Sequence, residues 1–118
     1  MSDLTSNIAR AEGYLARFRT DGVLNHINGE AVPAEDGTVF EVISPVDLKP
    51  LAQAARSKSA DVAAAAKAAK AAFPAWRAMA GDARKALLHK IADAIEARAE
   101  EIAFVEAMDT GQSIRFMA

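Results

Sequence analysis

No cysteine occurs in the 118 residues. That excludes disulfides, thiolate metal sites and covalent thiol chemistry within this chain. It is compatible with a cytoplasmic setting, which is the expectation here. Neither sign of charge dominates: 14 basic against 16 acidic residues leave a formal charge of -2. No positive field is available to hold a phosphate backbone. The aromatic residues are not interleaved with Lys or Arg, so nucleic acid is not an expected partner. No apolar run approaches the roughly 18 residues of a membrane span, so no membrane partner is expected. The opening residues MSDLTSNIAR lack the basic-then-apolar order of a secretory leader. Aromatic bulk is scarce, with five Phe, one Trp and one Tyr.

What is present is globular in character, 52% apolar and 25% charged. The length suits one small domain. About a quarter of the chain is alanine, which buries little area per residue. An alanine-built helix face packs closely but contributes little hydrophobic energy. Such a face calls for something large opposite it.

Four stretches follow one another. In residues 1–22, Ile8, Ala11, Tyr14, Leu15 and Phe18 fall near one helical face. Ser2 or Ser6 is the expected cap and Gly22 the stop. Residues 23–56 read as strands. Asn28-Gly29 between extended segments predicts a hairpin, because both residues tolerate positive φ. Pro33 demotes the hairpin's exit, and Asp36-Gly37 predicts a second turn. Thr38–Ile43 and Leu51–Ala55 read as a third and a fourth strand.

Residues 59–77 read as a helix with Ser59 as N-cap and Asp61 in its first turn. Val62, Ala65, Ala66, Ala69, Ala72, Phe73 and Trp76 trace one face. Pro74 is expected to interrupt that helix near its end. Phe73 and Trp76 are expected as core anchors. Residues 82–110 are the strongest helical segment, with Asp82 as cap and Leu87, Leu88, Ile91, Ala92, Ile95, Ala99 and Ile102 as a buried stripe. Its length predicts two helices or a kink, and Gly111 the stop.

Residues suited to chemistry are few. His26 and His89 lie in neither a His-Glu-x-x-His pattern nor a nucleophile pair, and read as structural or exposed. Glu96, Glu100 and Glu101 near Arg98 read as a solvated, ion-paired face rather than as general acids. Arg84 and Lys85 lack the glycine loop of a phosphate site. Asp109, directly before Thr110-Gly111, is the most informative polar residue. It suits a tight turn, or alternatively a hard cation held together with backbone carbonyls.

The motifs then line up. His26-Ile27-Asn28-Gly29-Glu30 is followed by Phe40-Glu41-Val42-Ile43-Ser44-Pro45, Ala60-Asp61-Val62, and Ala68 to Phe73 with Trp76. Arg84 to Leu88, Ile91 to Glu96 and Glu106 to Gly111 complete the order. From about residue 24 onward this resembles the N-terminal region of the NAD(P)-dependent aldehyde dehydrogenase superfamily. Within it the chain looks most like members that oxidise semialdehydes from aromatic-compound breakdown, such as the carboxymethyl-hydroxymuconate semialdehyde dehydrogenases.

The resemblance implies an incomplete N-terminal portion of an α/β, aldehyde dehydrogenase-like fold. Residues 1–22 would be a helical extension, and 23–118 a partial shell of the cofactor domain, truncated at 118. Members of the family oxidise an aldehyde to the acid through a cysteine thiolate, with hydride passing to the nicotinamide. The cysteine, its partner glutamate and asparagine, and the glycine-rich cofactor loop lie beyond the matched region, so none is carried over. NAD or NADP would belong to the complete enzyme, with none expected on this chain alone. The implied partners are the remainder of the enzyme polypeptide and, for the whole enzyme, further copies in a homo-oligomer. One site is carried over: Val42, Ile43 and Asp109 correspond to family positions that hold a structural monovalent cation. The alternative to an enzyme segment is a free-standing interaction or scaffold domain without catalysis.

Overall fold

The computed structural model of the chain describes residues 4–117. Along the sequence they form α1 (Leu4–Asp21), β1 (Asn25–Ile27), β2 (Glu30–Val32), β3 (Val39–Ile43), β4 (Pro50–Ala55), α2 (Ser59–Ala78), α3 (Gly81–Glu96), α4 (Ala99–Thr110) and α5 (Ile114–Met117). The class is α/β, as the sequence predicts. The segments interleave into two compact units. A hairpin unit contains 24–38 and 55–97, and a second unit contains the described parts of 1–23, 39–54 and 98–118.

In the hairpin unit β1 and β2 pair antiparallel, with Ile27 opposite Glu30. The intervening Asn28 and Gly29 both have positive φ, 55° and 81°, the geometry that a two-residue hairpin turn requires. The second turn forms as predicted. The Gly37 N–H donates to the Ala34 carbonyl at 2.8 Å, and the Thr38 N–H donates to Asp36 Oδ1 at 3.0 Å.

The start of α2 differs from expectation. Lys58, not Ser59, occupies the N-cap position. The capping carboxylate is Asp61, which reaches back to accept the Lys58 N–H at 2.8 Å. Its other oxygen accepts the Glu35 N–H at 2.8 Å. A buried carboxylate in the first turn thus satisfies an orphan donor and ties the helix to the hairpin's exit. Pro74 does not end the helix, which continues to Ala78. Proline removes one donor, and the alanine-rich turns around it sustain the rest. Asp82 is likewise not the cap of α3; Ala80 holds that position and Asp82 lies in the first turn.

The expected burial of these helices is overturned within the described residues. Phe73 is 56% exposed and Trp76 40%. Leu88, Ile91 and Ile95 are each 56% exposed, and α3 buries no residue. The apolar stripes exist; β1 covers part of α2 near Ala65, and the large side chains of both stripes stay exposed among the described residues.

In the second unit β3 and β4 form a two-stranded sheet, and Val23 bridges Ala54 in parallel fashion. Gly22 ends α1 as predicted, its N–H donating to the Phe18 carbonyl at 3.0 Å. Helix α1 packs on α4, burying Ala11 and Leu15 with Ala103 and Phe104, and the Tyr14 and Phe104 rings lie 5.9 Å apart. Ser6 lies inside α1 rather than capping it, and Ser2 lies outside the described residues. The predicted helix 82–110 is two helices separated at Ala97–Arg98. No glycine or proline marks this break; the chain passes from one unit to the other there. The short α5 was not predicted from sequence.

Candidate functional site

The sequence-predicted site begins on α4. Gly111 closes that helix in the left-handed conformation, φ 75°, with its N–H donating to the Ala107 carbonyl at 3.0 Å. A Cβ at Gly111 would stand 3.1 Å from Pro45 Cγ. The Asp109-Thr110-Gly111 turn is therefore held against the loop that follows β3. That loop has its own lock. Ser44 is fully buried, and its hydroxyl accepts the Val46 N–H at 3.1 Å. Its N–H reaches the Lys49 carbonyl at 2.9 Å.

Between these elements lies a cavity of 310 Å³. Val42 from β3 and Asp109 from α4 both line it, so two of the three predicted site residues share one space. Ile43, the third, does not line it, and its side chain is 43% exposed. Sequence reasoning missed Glu106, Leu15 and Phe18, which also line the cavity. Glu106 was findable, because it stands three residues before Asp109 and hence on the same helical face. Leu15 and Phe18 were not, because they arrive from α1. Most of the remaining wall is apolar, from Val23, Leu51, Ala52, Ala54 and Val105. Asp109 and Glu106 form no ion pair within the described residues.

Of the predicted carboxylates near Arg98, Glu100 and Glu101 have structural partners. Glu101 accepts from Arg98 Nε at 2.9 Å and lies 2.5 Å from Arg17 Nη2. The Arg98 hydrogen bonds, and after them the Arg17 charge, hold its carboxyl below the usual carboxylate range. Glu100 accepts Arg10 Nη1 and Tyr14 Oη, each at 2.6 Å. That bond to a carboxylate pushes the Tyr14 phenol up. The ion-paired face is thus present at Glu100 and Glu101, with partners largely from α1; no ion pair of Glu96 is formed among the described residues. His26 and His89 are exposed on β1 and α3. Among the described residues no group of three or more His, Cys, Asp or Glu side chains is arranged to hold a metal. No helix there is long and apolar enough to cross a membrane.

The sequence pattern of the aldehyde dehydrogenase family matches residues 31–118. The chain belongs to this family. It is 45% identical over 91 residues to the NADP/NAD-dependent aldehyde dehydrogenase PuuC of Escherichia coli K12, a match covering 75% of this chain and 18% of that protein. Its fold superposes on HpcC from Thermus thermophilus with a TM-score of 0.89 at 36% identity, over 93% of this chain and 21% of HpcC. The crystal structure of PnpE in complex with nicotinamide adenine dinucleotide gives 0.78 at 41% identity, over 80% of this chain and 20% of PnpE. The chain therefore spans about a fifth of the length of the relatives it matches. The HpcC match is too long to begin at residue 24 and takes in part of α1, so the structural likeness starts earlier than the sequence resemblance suggested.

A family dinucleotide needs free backbone N–H groups or a cation facing its phosphates. The Asp61 carboxylate lies in the first turn of α2, accepting the Lys58 and Glu35 N–H groups, and Asp82 stands in the first turn of α3. Arg84, beside it, spends its guanidinium on the Met79 carbonyl at 2.6 Å.

Proposed function

We propose that this chain is the opening part of an NAD(P)-dependent enzyme that oxidises an aldehyde, in the narrower reading a semialdehyde, to its acid. Residues 1–22 form its helical extension and 23–118 part of the shell around its cofactor domain. The remainder of the polypeptide supplies the thiol, the cofactor site and the cover for α2 and α3. The observation that carries this reading is the uncovered apolar stripe on those two helices, in a chain about a fifth as long as its relatives. Exposed apolar surface on that scale belongs at an interface. The intact mass of the protein from its native source tests it. A mass several times 12.5 kDa, with aldehyde-dependent reduction of NAD or NADP, is expected. A native mass of 12.5 kDa with a monomeric, cooperative melt would favour the scaffold reading instead.

The cavity beside Asp109 is read as part of a structural monovalent-cation site, with backbone carbonyls of Val42 and Ile43, the Asp109 carboxylate, and a further ligand from the rest of the enzyme. What supports this is that Val42 and Asp109 line one space. In the complete enzyme, replacing choline chloride by potassium chloride at equal ionic strength should raise Tm. Asp109→Asn should abolish that rise while leaving hydride transfer measurable. A lost chemical step at unchanged Tm would sink it.

A further inference from the structure

We infer that α1 is a strap over the Val42/Asp109 cavity and that Glu100 and Glu101 are its latch; its bearing on cation affinity rests on the reading above. Leu15 and Phe18 of α1 form one wall of that cavity, so the space is closed on this side only while α1 is docked. The apolar hold on α1 is confined to its middle and later turns, where Tyr14 and Phe18 are half-buried. Ala11 and Leu15 are its buried residues, while Leu4 is 72% and Ile8 55% exposed.

The polar hold is specific. Arg10, Tyr14 and Arg17 follow at spacings of four and three, which places them along one stripe of the helix. Glu100 takes Arg10 and Tyr14 at 2.6 Å each, and Glu101 takes Arg17 at 2.5 Å. Arg98 fixes Glu101 from its own helix, donating from Nε at 2.9 Å and Nη2 at 3.0 Å. The two latch carboxylates sit in the first turn of α4, the other end of the helix from Asp109.

Helix α1, 18 residues long, draws most of its stability from the packing of one face. A helix held along one face by a few buried residues and ion pairs can open locally without global unfolding. The exposed Arg10–Glu100 pair is weakened by salt, and the Arg17–Glu101 pair, whose carboxylate is more buried, is weakened less. The strap therefore lifts before α4 and the sheet unfold, and it lifts more readily as ionic strength rises.

Amide hydrogen exchange on the full chain tests this. In Arg10→Met/Arg17→Met, exchange across residues 8–18 should quicken roughly three- to tenfold, with residues 102–108 changing less than about twofold. Lys67→Met/Lys70→Met, which makes the same charge change on α2, should leave α1 exchange unaltered. If the double variant misfolds, the parent chain in rising choline chloride provides the same readout, since choline adds ionic strength without a small cation. Unchanged exchange in α1, or equal acceleration in α1 and α4, would overturn the strap. In the complete enzyme the double variant should also weaken the potassium-dependent rise in Tm. If the parent shows no such rise, the cation reading fails and the exchange result alone decides the strap; if the rise is present and the variant keeps it in full, the strap does not govern the site.

Discussion

At the scale of single residues, Asp61 does the most. It is buried, and its two oxygens accept backbone donors from Lys58 and Glu35, 26 residues apart from it in the second case. Asp61→Ala would leave both donors without their charged acceptor. It should destabilise the chain by roughly 2–3 kcal/mol in urea titration; a loss below about 0.5 kcal/mol would show that water replaces the carboxylate. Asp82→Ala, in an exposed first turn, serves as the contrast and should cost well under that. Gly111 carries two separate demands, a φ of 75° and a 3.1 Å approach to Pro45. Gly111→Ala should therefore cost about 1–2 kcal/mol, where a replacement at Gly13, which meets nothing within 4 Å, should not weaken the chain through a clash.

At the scale of elements, carboxylates are the joints. Lys58, with Thr38, holds the Asp36 carboxyl well below its usual range, and Arg98, with Arg17, does the same for Glu101. A carboxyl with a depressed pKa binds fewer protons folded than unfolded. The stability it contributes is complete above the ordinary carboxylate pKa of about 4 and is lost as pH falls through the folded value. The urea midpoint should stay level from about pH 7 to pH 5 and decline below about pH 4. Glu101→Gln should make that decline shallower; an identical pH profile would mean that the Arg98 and Arg17 pairs add nothing. The hairpin was legible in advance because Asn28-Gly29 is a local backbone requirement. The cap of α2 was misread because Ser59 is the local favourite, whereas Asp61 wins through a contact with Glu35 that no local signal encodes.

At the scale of the whole molecule, the decisive fact is apolar surface without cover. Phe73 was expected in a core and is 56% exposed. Phe73→Ala should then change the stability of this chain by less than about 1 kcal/mol. In the complete enzyme, where the proposed remainder covers α2, the same change should cost on the order of 3–5 kcal/mol. Equal small effects in both settings would place Phe73 at a true surface and weaken the proposal. The periodicity of α2 and α3 was correct; burial did not follow from it, and the faces Val62/Ala66/Ala69/Phe73 and Leu88/Ile91/Ile95 stand without the partners that an enzyme segment would be missing. An apolar stripe states that a helix needs a partner, and it does not state that the partner lies in the same 118 residues.

The sequence by itself determined the α/β class, the hairpin turn, the ends of α1 and α4 at Gly22 and Gly111, the absence of a thiol, and the family resemblance. Each rests on local backbone geometry, composition or motif order, which are present in the chain before it folds. The family resemblance grouped Val42 with Asp109; only the tertiary structure decided that Leu15 and Phe18 wall the space they line, and that Glu100 and Glu101 bind α1. It also decided where the long helical segment divides. These depend on which distant segments meet, and contact energy between residues some ninety positions apart, as for Arg10 and Glu100, leaves no trace in local propensity.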